Sequence, residues 1–213
     1  MTNDNSPIAV EGVPFIAAAG VLTIACAAFH WRVAALFLLV VTLFIVYFFR
    51  NPRRVTPDVE NAVVAPADGV IIYAGRAFES HLQQEMQKIS IFMSVFNVHV
   101  NRFPLAGRVL DRFYNPGKFL DVRDERATFE NEQLGLILEG VRGAKVVCVQ
   151  VAGLIARRIV CYLRPGDGLA MGEIYGLIRF GSRLDIYLPL DAEVRVALGE
   201  RTVAGETILG ILP

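Results

Sequence analysis

Histidine and lysine are scarce in this 213-residue chain, which has only His30, His81 and His99, and only Lys88, Lys118 and Lys145. The histidines have no close Cys/His cluster around them, so no metal site, zinc included, is expected. Cysteine is equally sparse. Cys26, Cys148 and Cys161 are an odd number, and Cys26 lies in an apolar stretch. No disulfide framework is implied, and a reducing cytoplasm suits them. Basic and acidic residues cancel at 21 each, and without a basic patch no nucleic-acid partner is expected. No Lys or Arg precedes Arg32, whereas Asp4 and Glu11 do. A cleaved signal peptide would want a basic start and a small-residue cleavage site. The excess is in apolar residues, at 54% of the chain against about 45–50% in ordinary globular domains.

That excess is concentrated near the N-terminus. After a short polar stretch, 1–12, the runs Val13–Phe29 and Val33–Phe49 are almost wholly apolar, broken by His30-Trp31-Arg32. A spanning helix needs about 20 apolar residues, with about 17 as the lower limit. The two runs therefore read as a short transmembrane helical hairpin, an anchor over 13–50. Trp31 and Arg32 suit one interface, and Tyr47 to Arg50 the other. Arg50, Arg53 and Arg54 follow directly, and positive charge at a membrane exit favours the cytoplasmic side. The rest of the chain is thus expected at the cytoplasmic face of the cell (inner) membrane. Pro52 and Pro57 stiffen a linker over 51–61.

Over 62–213 the pattern changes to short β-branched runs: Val63-Val64, Val70–Ile72, Ile89–Phe92, Val95–Val100, Lys145–Val151, Ile159–Leu163, Leu184–Leu188 and Val194–Ala197. Turns such as Pro66–Gly69 and Pro165–Gly168 separate them. The expectation is a mainly β domain of barrel or sandwich type. Residues 76–88 suit one short helix, and 115–132 reads as a long polar loop. Residues 196–209 resemble the strand–turn–strand of biotinyl- and lipoyl-carrier barrels, and Val64–Val70 resembles their opening strand. No lysine stands in a hairpin tip to carry such a group.

Three positions could carry chemistry, and each also has a plain structural reading. Gly181-Ser182 could be a bulge or turn, and it is not a Gly-x-Ser-x-Gly elbow. A glycine before a self-processing serine would, however, let the hydroxyl reach the preceding carbonyl. His99 could be a structural strand histidine; if an imidazole is needed, it is the choice by elimination. Asp68 could be an ordinary turn residue, or could orient a histidine for proton transfer. Arg157 and Arg158 point to opposite faces if they lie on a strand, so at most one faces inward. A buried one would need a phosphate or an acidic partner such as Glu130, Glu132 or Glu173.

Six stretches occur in one order: Phe48–Pro52, Ala65–Gly69, Asn97–Arg102, Glu130–Glu132, Gln150–Ile159 and Gly176–Arg183. Each is weak alone. Together they resemble the phosphatidylserine decarboxylases, above all their short bacterial and archaeal branch, from about Phe48 to the C-terminus. The resemblance implies a proenzyme that cleaves itself between Gly181 and Ser182 into a β chain, 1–181, and an α chain, 182–213. It further implies a pyruvoyl cofactor made from Ser182, with His99 as base and Asp68 orienting it. Asn101, Arg102 and Arg158 become candidates for substrate binding. The implied reaction converts phosphatidylserine in the membrane to phosphatidylethanolamine and carbon dioxide. The chain departs from the longer bacterial branch, which carries His-x-x-His and Leu-Gly-Ser-Thr. Here Arg102 replaces the second histidine and Phe180–Arg183 reads Phe-Gly-Ser-Arg, which leaves His99 to serve both cleavage and decarboxylation. Two other readings stay open: a non-catalytic membrane-tethered carrier-like module, and a pyruvoyl enzyme acting on another amino-acid-containing substrate. A homodimer that covers strand edges also stays open.

Overall fold

Two apolar helices lie near the start of the described chain. In the computed structural model, residues 6–124, 126–154, 158–179 and 181–213 are described. The chain divides into two compact units, with the boundary between Arg53 and Arg54.

In the first unit α1 (Val13–Ala28) and α2 (Arg32–Phe48) pack on each other. Pro14 sits in the first turn of α1, where its missing N–H costs nothing. His30 takes a left-handed φ of 58° where the chain reverses. Thr23 Oγ1 and Thr42 Oγ1 meet across the pair at 3.2 Å, and each also lies 2.8 Å from the carbonyl four residues back. Their polar groups are thus satisfied within the hairpin, as an apolar surround requires. Val33, Leu36, Phe37 and Val40 are exposed on its outside. Val10–Ala28 is long and apolar enough to cross a membrane, with mean hydropathy 1.8; Arg32–Phe48 is shorter.

The second unit is mainly β. Its strands are β1 (Ala62–Val64), β2 (Gly69–Glu79), β3 (Gln84–Met93), β4 (Val100–Arg102), β5 (Gly107–Asn115), β6 (Gln133–Glu139), β7 (Lys145–Val151), β8 (Arg158–Cys161), β9 (Gly168–Leu169), β10 (Ile174–Arg179), β11 (Ser182–Leu188), β12 (Glu193–Val194), β13 (Arg201–Thr202) and β14 (Ile208–Ile211). One short helix, α3 (Ala127–Glu130), interrupts them. Eight strands form one sheet in the order β13-β2-β3-β11-β7-β6-β5-β9. Two three-stranded sheets, β1-β14-β12 and β4-β10-β8, complete the unit. The large sheet does not close into a barrel, and the stacking is of sandwich type.

The period-2 alternation of β11 explains the layering. Leu184, Ile186 and Leu188 point into the main core, where they meet Val63, Tyr175, Ile178 and Leu209 of the smaller sheets. Tyr187 points to a second cluster with Met86, Val147 and Val149. Each fully buried aliphatic side chain of this kind contributes about 1.5–3 kcal/mol. The cysteines are free thiols, and burial pushes Cys148 up to about 12, which keeps it protonated and unreactive.

Four sequence expectations need correction. Residues 76–88 are not a helix but the β2–β3 hairpin, whose ladder runs out to Glu79↔Gln84. Glu79 holds its turn by accepting the N–H groups of His81 and Leu82, and Gln83 takes φ 53°. Residues 95–99 are not strand. Ser94 donates N–H and Oγ to Asn97 Oδ1, and this turn leaves His99 just before β4. The loop 115–132 is not free-standing, because it holds α3 and is tied down by Asn131, whose amide bonds Leu120 and Ala152. Within 196–209, β13 pairs with β2 while β14 pairs with β1 and β12, so the two do not form a hairpin with each other.

Candidate active site

Ser182 opens β11, fully buried between β3 and β7. Gly181 before it has φ +47°, a left-handed conformation that glycine adopts without the Cβ clash. The Gly181 carbonyl passes directly over Gly153, where a Cβ would lie 2.2 Å from the oxygen. Both glycines are therefore required, one for the turn of the backbone and one for the approach of the carbonyl.

Ser182 stands opposite Met93 in the β11–β3 register and donates Oγ–H to its Sδ at 3.4 Å. The same sulfur receives Asn101 Nδ2 at 3.9 Å. Asn101 Oδ1 in turn accepts Gln150 Nε2 at 2.8 Å. Ser182, Met93, Asn101 and Gln150 thus form a neutral polar cluster, each at most 1% exposed.

His99 is also buried, and its ring Nδ1 lies 3.0 Å from the Asn97 carbonyl. A carbonyl only accepts, so Nδ1 carries the proton and the lone pair of the neutral ring sits on Nε2. The His99 carbonyl accepts Ile178 N–H, which ties the histidine to the strand leading into Gly181. Asp68, expected to orient His99, makes two contacts of its own. Its Oδ2 accepts Arg54 at 2.7 Å and its Oδ1 accepts the Ala204 N–H at 2.7 Å. The turn it occupies supports β4, since Pro66 O accepts Arg102 N–H.

Of the three candidates for substrate binding, Asn101 faces the cluster beside Ser182. Arg102 points to the other side of β4 and donates to Gly172 O at 2.8 Å. Arg158 is exposed and stands opposite Arg179 in the β8–β10 register. Arg157 and Phe180 lie outside the described residues. Glu130 pairs with Lys118, and Glu173 accepts the Ala170 N–H.

The other face of β11 has a different character. Arg183 binds Asp185 through Nε and Nη2 at 2.8 and 2.9 Å, and also reaches Val122 O at 2.7 Å and Thr128 Oγ1 at 2.9 Å. Lys88 joins Asp185 at 3.0 Å. Burial alone would push the Asp185 carboxyl up, but Arg183 and Lys88 together outweigh it and hold it below its usual range. Lys88, Arg183 and Thr128 line a cavity of about 670 Å³, together with Tyr73, His81 and Phe113. His81 stacks on Phe113 with ring centroids 3.4 Å apart.

Sequence reasoning missed Gly153, Gln150, Met93 and Asp185. Gly153 and Gln150 lie inside the stretch that carried the resemblance, and the alternation Arg183-Leu184-Asp185 was the available sign of a charged face.

Comparison with known proteins places these residues in context. The phosphatidylserine decarboxylase family matches residues 41–210. A phosphatidylserine decarboxylase proenzyme of Geotalea uraniireducens is 70% identical over 213 residues, covering all of both chains. Those of Geobacter sulfurreducens and Syntrophotalea carbinolica are 67% and 52% identical, again over the full length of each. With the match spanning most of the chain and the six stretches in place, this protein belongs to the phosphatidylserine decarboxylase family.

Proposed function

We infer that this chain is a membrane-anchored carboxy-lyase that converts phosphatidylserine to phosphatidylethanolamine and carbon dioxide after cutting itself between Gly181 and Ser182. The observation that carries the reading is the scissile pair itself: a buried serine after a left-handed glycine whose carbonyl rests on Gly153. In the cleavage, Ser182 Oγ attacks the Gly181 carbonyl carbon while His99 Nε2 takes the hydroxyl proton, which a serine needs to become nucleophilic. The acyl group moves from nitrogen to oxygen as His99 passes that proton to the nitrogen of residue 182, which regenerates the neutral ring. His99 then removes the Cα proton of residue 182, and the Cβ–O bond breaks. A carboxylate remains on Gly181 and a dehydroalanine at 182, and water replaces the nitrogen of 182, which leaves as ammonia. Asp68 is proposed as the negative charge that favours the imidazolium, its carboxylate meanwhile held by Arg54 and the Ala204 N–H.

The residues around Ser182 fit the resulting pyruvoyl group. The thioether of Met93 and the amide of Asn101 are neutral. Such a group would supply an electrophilic carbonyl for the substrate amine and a sink for the electron pair left by carbon dioxide, the role otherwise supplied by pyridoxal phosphate. Asn101 is proposed for the substrate carboxylate, and Arg158, cross-strand from Arg179, for the phosphate. Arg102, on the far side of β4, is held by Gly172 O. His99 is proposed to serve both stages.

The two chains stay together after cleavage because β11 pairs with β3 and β7, and β14 with β1. The apolar helices hold the enzyme at the membrane, where the acyl chains of the substrate stay in the bilayer. Arg50, Arg53 and Arg54 favour the cytoplasmic face of the inner membrane.

An intact-mass spectrum of the purified protein tests the reading. We expect two chains split at 181/182, with a carbonyl in place of the amine on the smaller, and a single uncleaved chain from Ser182→Ala. One full-length mass in active protein would overturn it. Removing residues 1–50 and assaying phosphatidylserine against free serine tests the substrate and the anchor.

A further inference from the structure

Gln150 is a buried polar side chain next to the reacting residue that the cleavage chemistry leaves unused. It lies on β7 opposite Leu184 of β11 and so projects to the face that Ser182 occupies. Its surroundings fix which end of its amide points where. Nε2 lies 3.4 Å from Val160 O and 2.8 Å from Asn101 Oδ1. Val160 O is a backbone carbonyl and accepts only, so a reversed Gln150 amide would set two acceptors against each other. With Nε2 fixed by Val160, the atom of Asn101 that meets it must be the acceptor Oδ1. The Asn101 NH₂ group is then forced toward Met93 and Ser182.

The cost of this arrangement is visible. Gln150 Oε1 is buried without a hydrogen-bond partner among the described residues. Side chains kept only for packing seldom leave a buried acceptor unmet. At the other end, the Asn101 donor rests at 3.9 Å on a thioether, a weak acceptor that an incoming oxygen displaces readily. The pair therefore holds a donor ready beside residue 182 without committing it.

We propose that Gln150 is a positioning residue, which locks the Asn101 amide with its NH₂ group toward residue 182 so that the site offers a hydrogen-bond donor to the substrate carboxylate. The proposal rests on the reading that Asn101 binds this carboxylate. Gln150 acts only through Asn101 and touches no substrate itself. Gln150→Glu presents an acceptor to Asn101 and turns its amide, so that Oδ1 would face the substrate. Gln150→Met keeps the volume and removes the lock without adding a buried charge.

The test measures KM and kcat on phosphatidylserine in mixed micelles, the extent of self-cleavage by intact mass, and the melting temperature. The variants are Gln150→Glu, Gln150→Met, Asn101→Ala and Asn101→Ala with Gln150→Met. Expected is complete self-cleavage with KM raised roughly ten- to hundredfold in Gln150→Glu and Asn101→Ala, less in Gln150→Met, and kcat moved less than KM. In the Asn101→Ala background, Gln150→Met should add nothing. If Asn101→Ala raises KM and both Gln150 variants leave it at the parent value, the relay is wrong while the role of Asn101 stands. If Asn101→Ala itself leaves KM unchanged, the substrate reading and the relay fall together. Gln150 variants that lose folding or cleavage with KM unchanged in the folded fraction, or that give no folded protein at all, assign Gln150 a structural role and overturn the proposal.

Discussion

The two faces of β11 are built from opposite chemistry, although their residues alternate along a single strand. On one face Ser182 stands among a thioether and two amides, with Leu184 and Ile186 continuing into the apolar core. On the other, Arg183 and Asp185 meet Lys88 in a buried ion cluster beside a cavity. The Ser182 hydroxyl and formal charge are thus kept on opposite sides of the sheet. The neutral face leaves the hydroxyl of Ser182 beside a thioether rather than beside any formal charge. The charged face anchors Arg183, the residue after Ser182, to Val122 and Thr128 of the 115–132 segment. On the proposed cleavage residue 182 would become a chain end, and this anchor would keep it in register.

The comparison can be broken most severely at Asp185. Asp185→Ala leaves Arg183 and Lys88 buried without their counter-charge, and breaking such a pair costs about 3–5 kcal/mol. Thermal or urea unfolding should show a loss of that size, and a loss below about 1 kcal/mol would mean that the cluster is better solvated than its burial implies. On the neutral face, Gly153→Ala sets a Cβ 2.2 Å from the Gly181 oxygen. The carbonyl must move, and a displacement of about 1 Å can slow a step of this kind by about a hundredfold. Uncleaved chain should accumulate in a time course by gel, with the melting temperature falling less than in Asp185→Ala.

Acid separates the faces more gently. The folded Asp185 carboxyl titrates below its unfolded value of about 3.9. A depressed carboxyl contributes its stability above the unfolded value and loses it as pH falls through the folded one. Melting temperature should therefore lose the Asp185 contribution below about pH 4, while Asp185→Asn lacks this part of the profile. The smallest effect belongs to a pair on neither face. Asp121 is pulled down to about 2 by its hydrogen bonds with Arg123, yet both side chains are solvent-facing. Asp121→Asn should leave the melting temperature where it is, because water and salt screen such pairs.

Much of this was legible in the chain because it depends on local pattern. Two long apolar runs split by His30-Trp31-Arg32 could only be helices, and α1 and α2 end within one residue of those runs. Lys145–Val151 was readable as a strand because every residue after Lys145 is buried on one face or the other. The Gly181-Ser182 pair was legible as a chemical possibility for the same reason, since glycine permits a conformation that other residues resist. The hairpin at 76–88 was not legible. Its residues favour a helix about as well as a strand, and only pairing with β3 and the Glu79-capped turn select the latter.

The site divides along the same line. Sequence by itself determined that Ser182 follows a glycine, that His99 and Asn101 lie two apart on one stretch, and that Arg183 and Asp185 alternate with apolar residues. Tertiary structure decided what those residues meet, because their partners come from distant strands. Met93 faces Ser182 from β3, Gln150 fixes Asn101 from β7, and Gly153 receives the Gly181 carbonyl just beyond β7. Asp68, which the resemblance pairs with His99, is held by Arg54 and the Ala204 N–H, residues 14 and 136 positions away. Side-chain spacing along a strand fixes the face a group points to, and the fold alone fixes which group stands opposite.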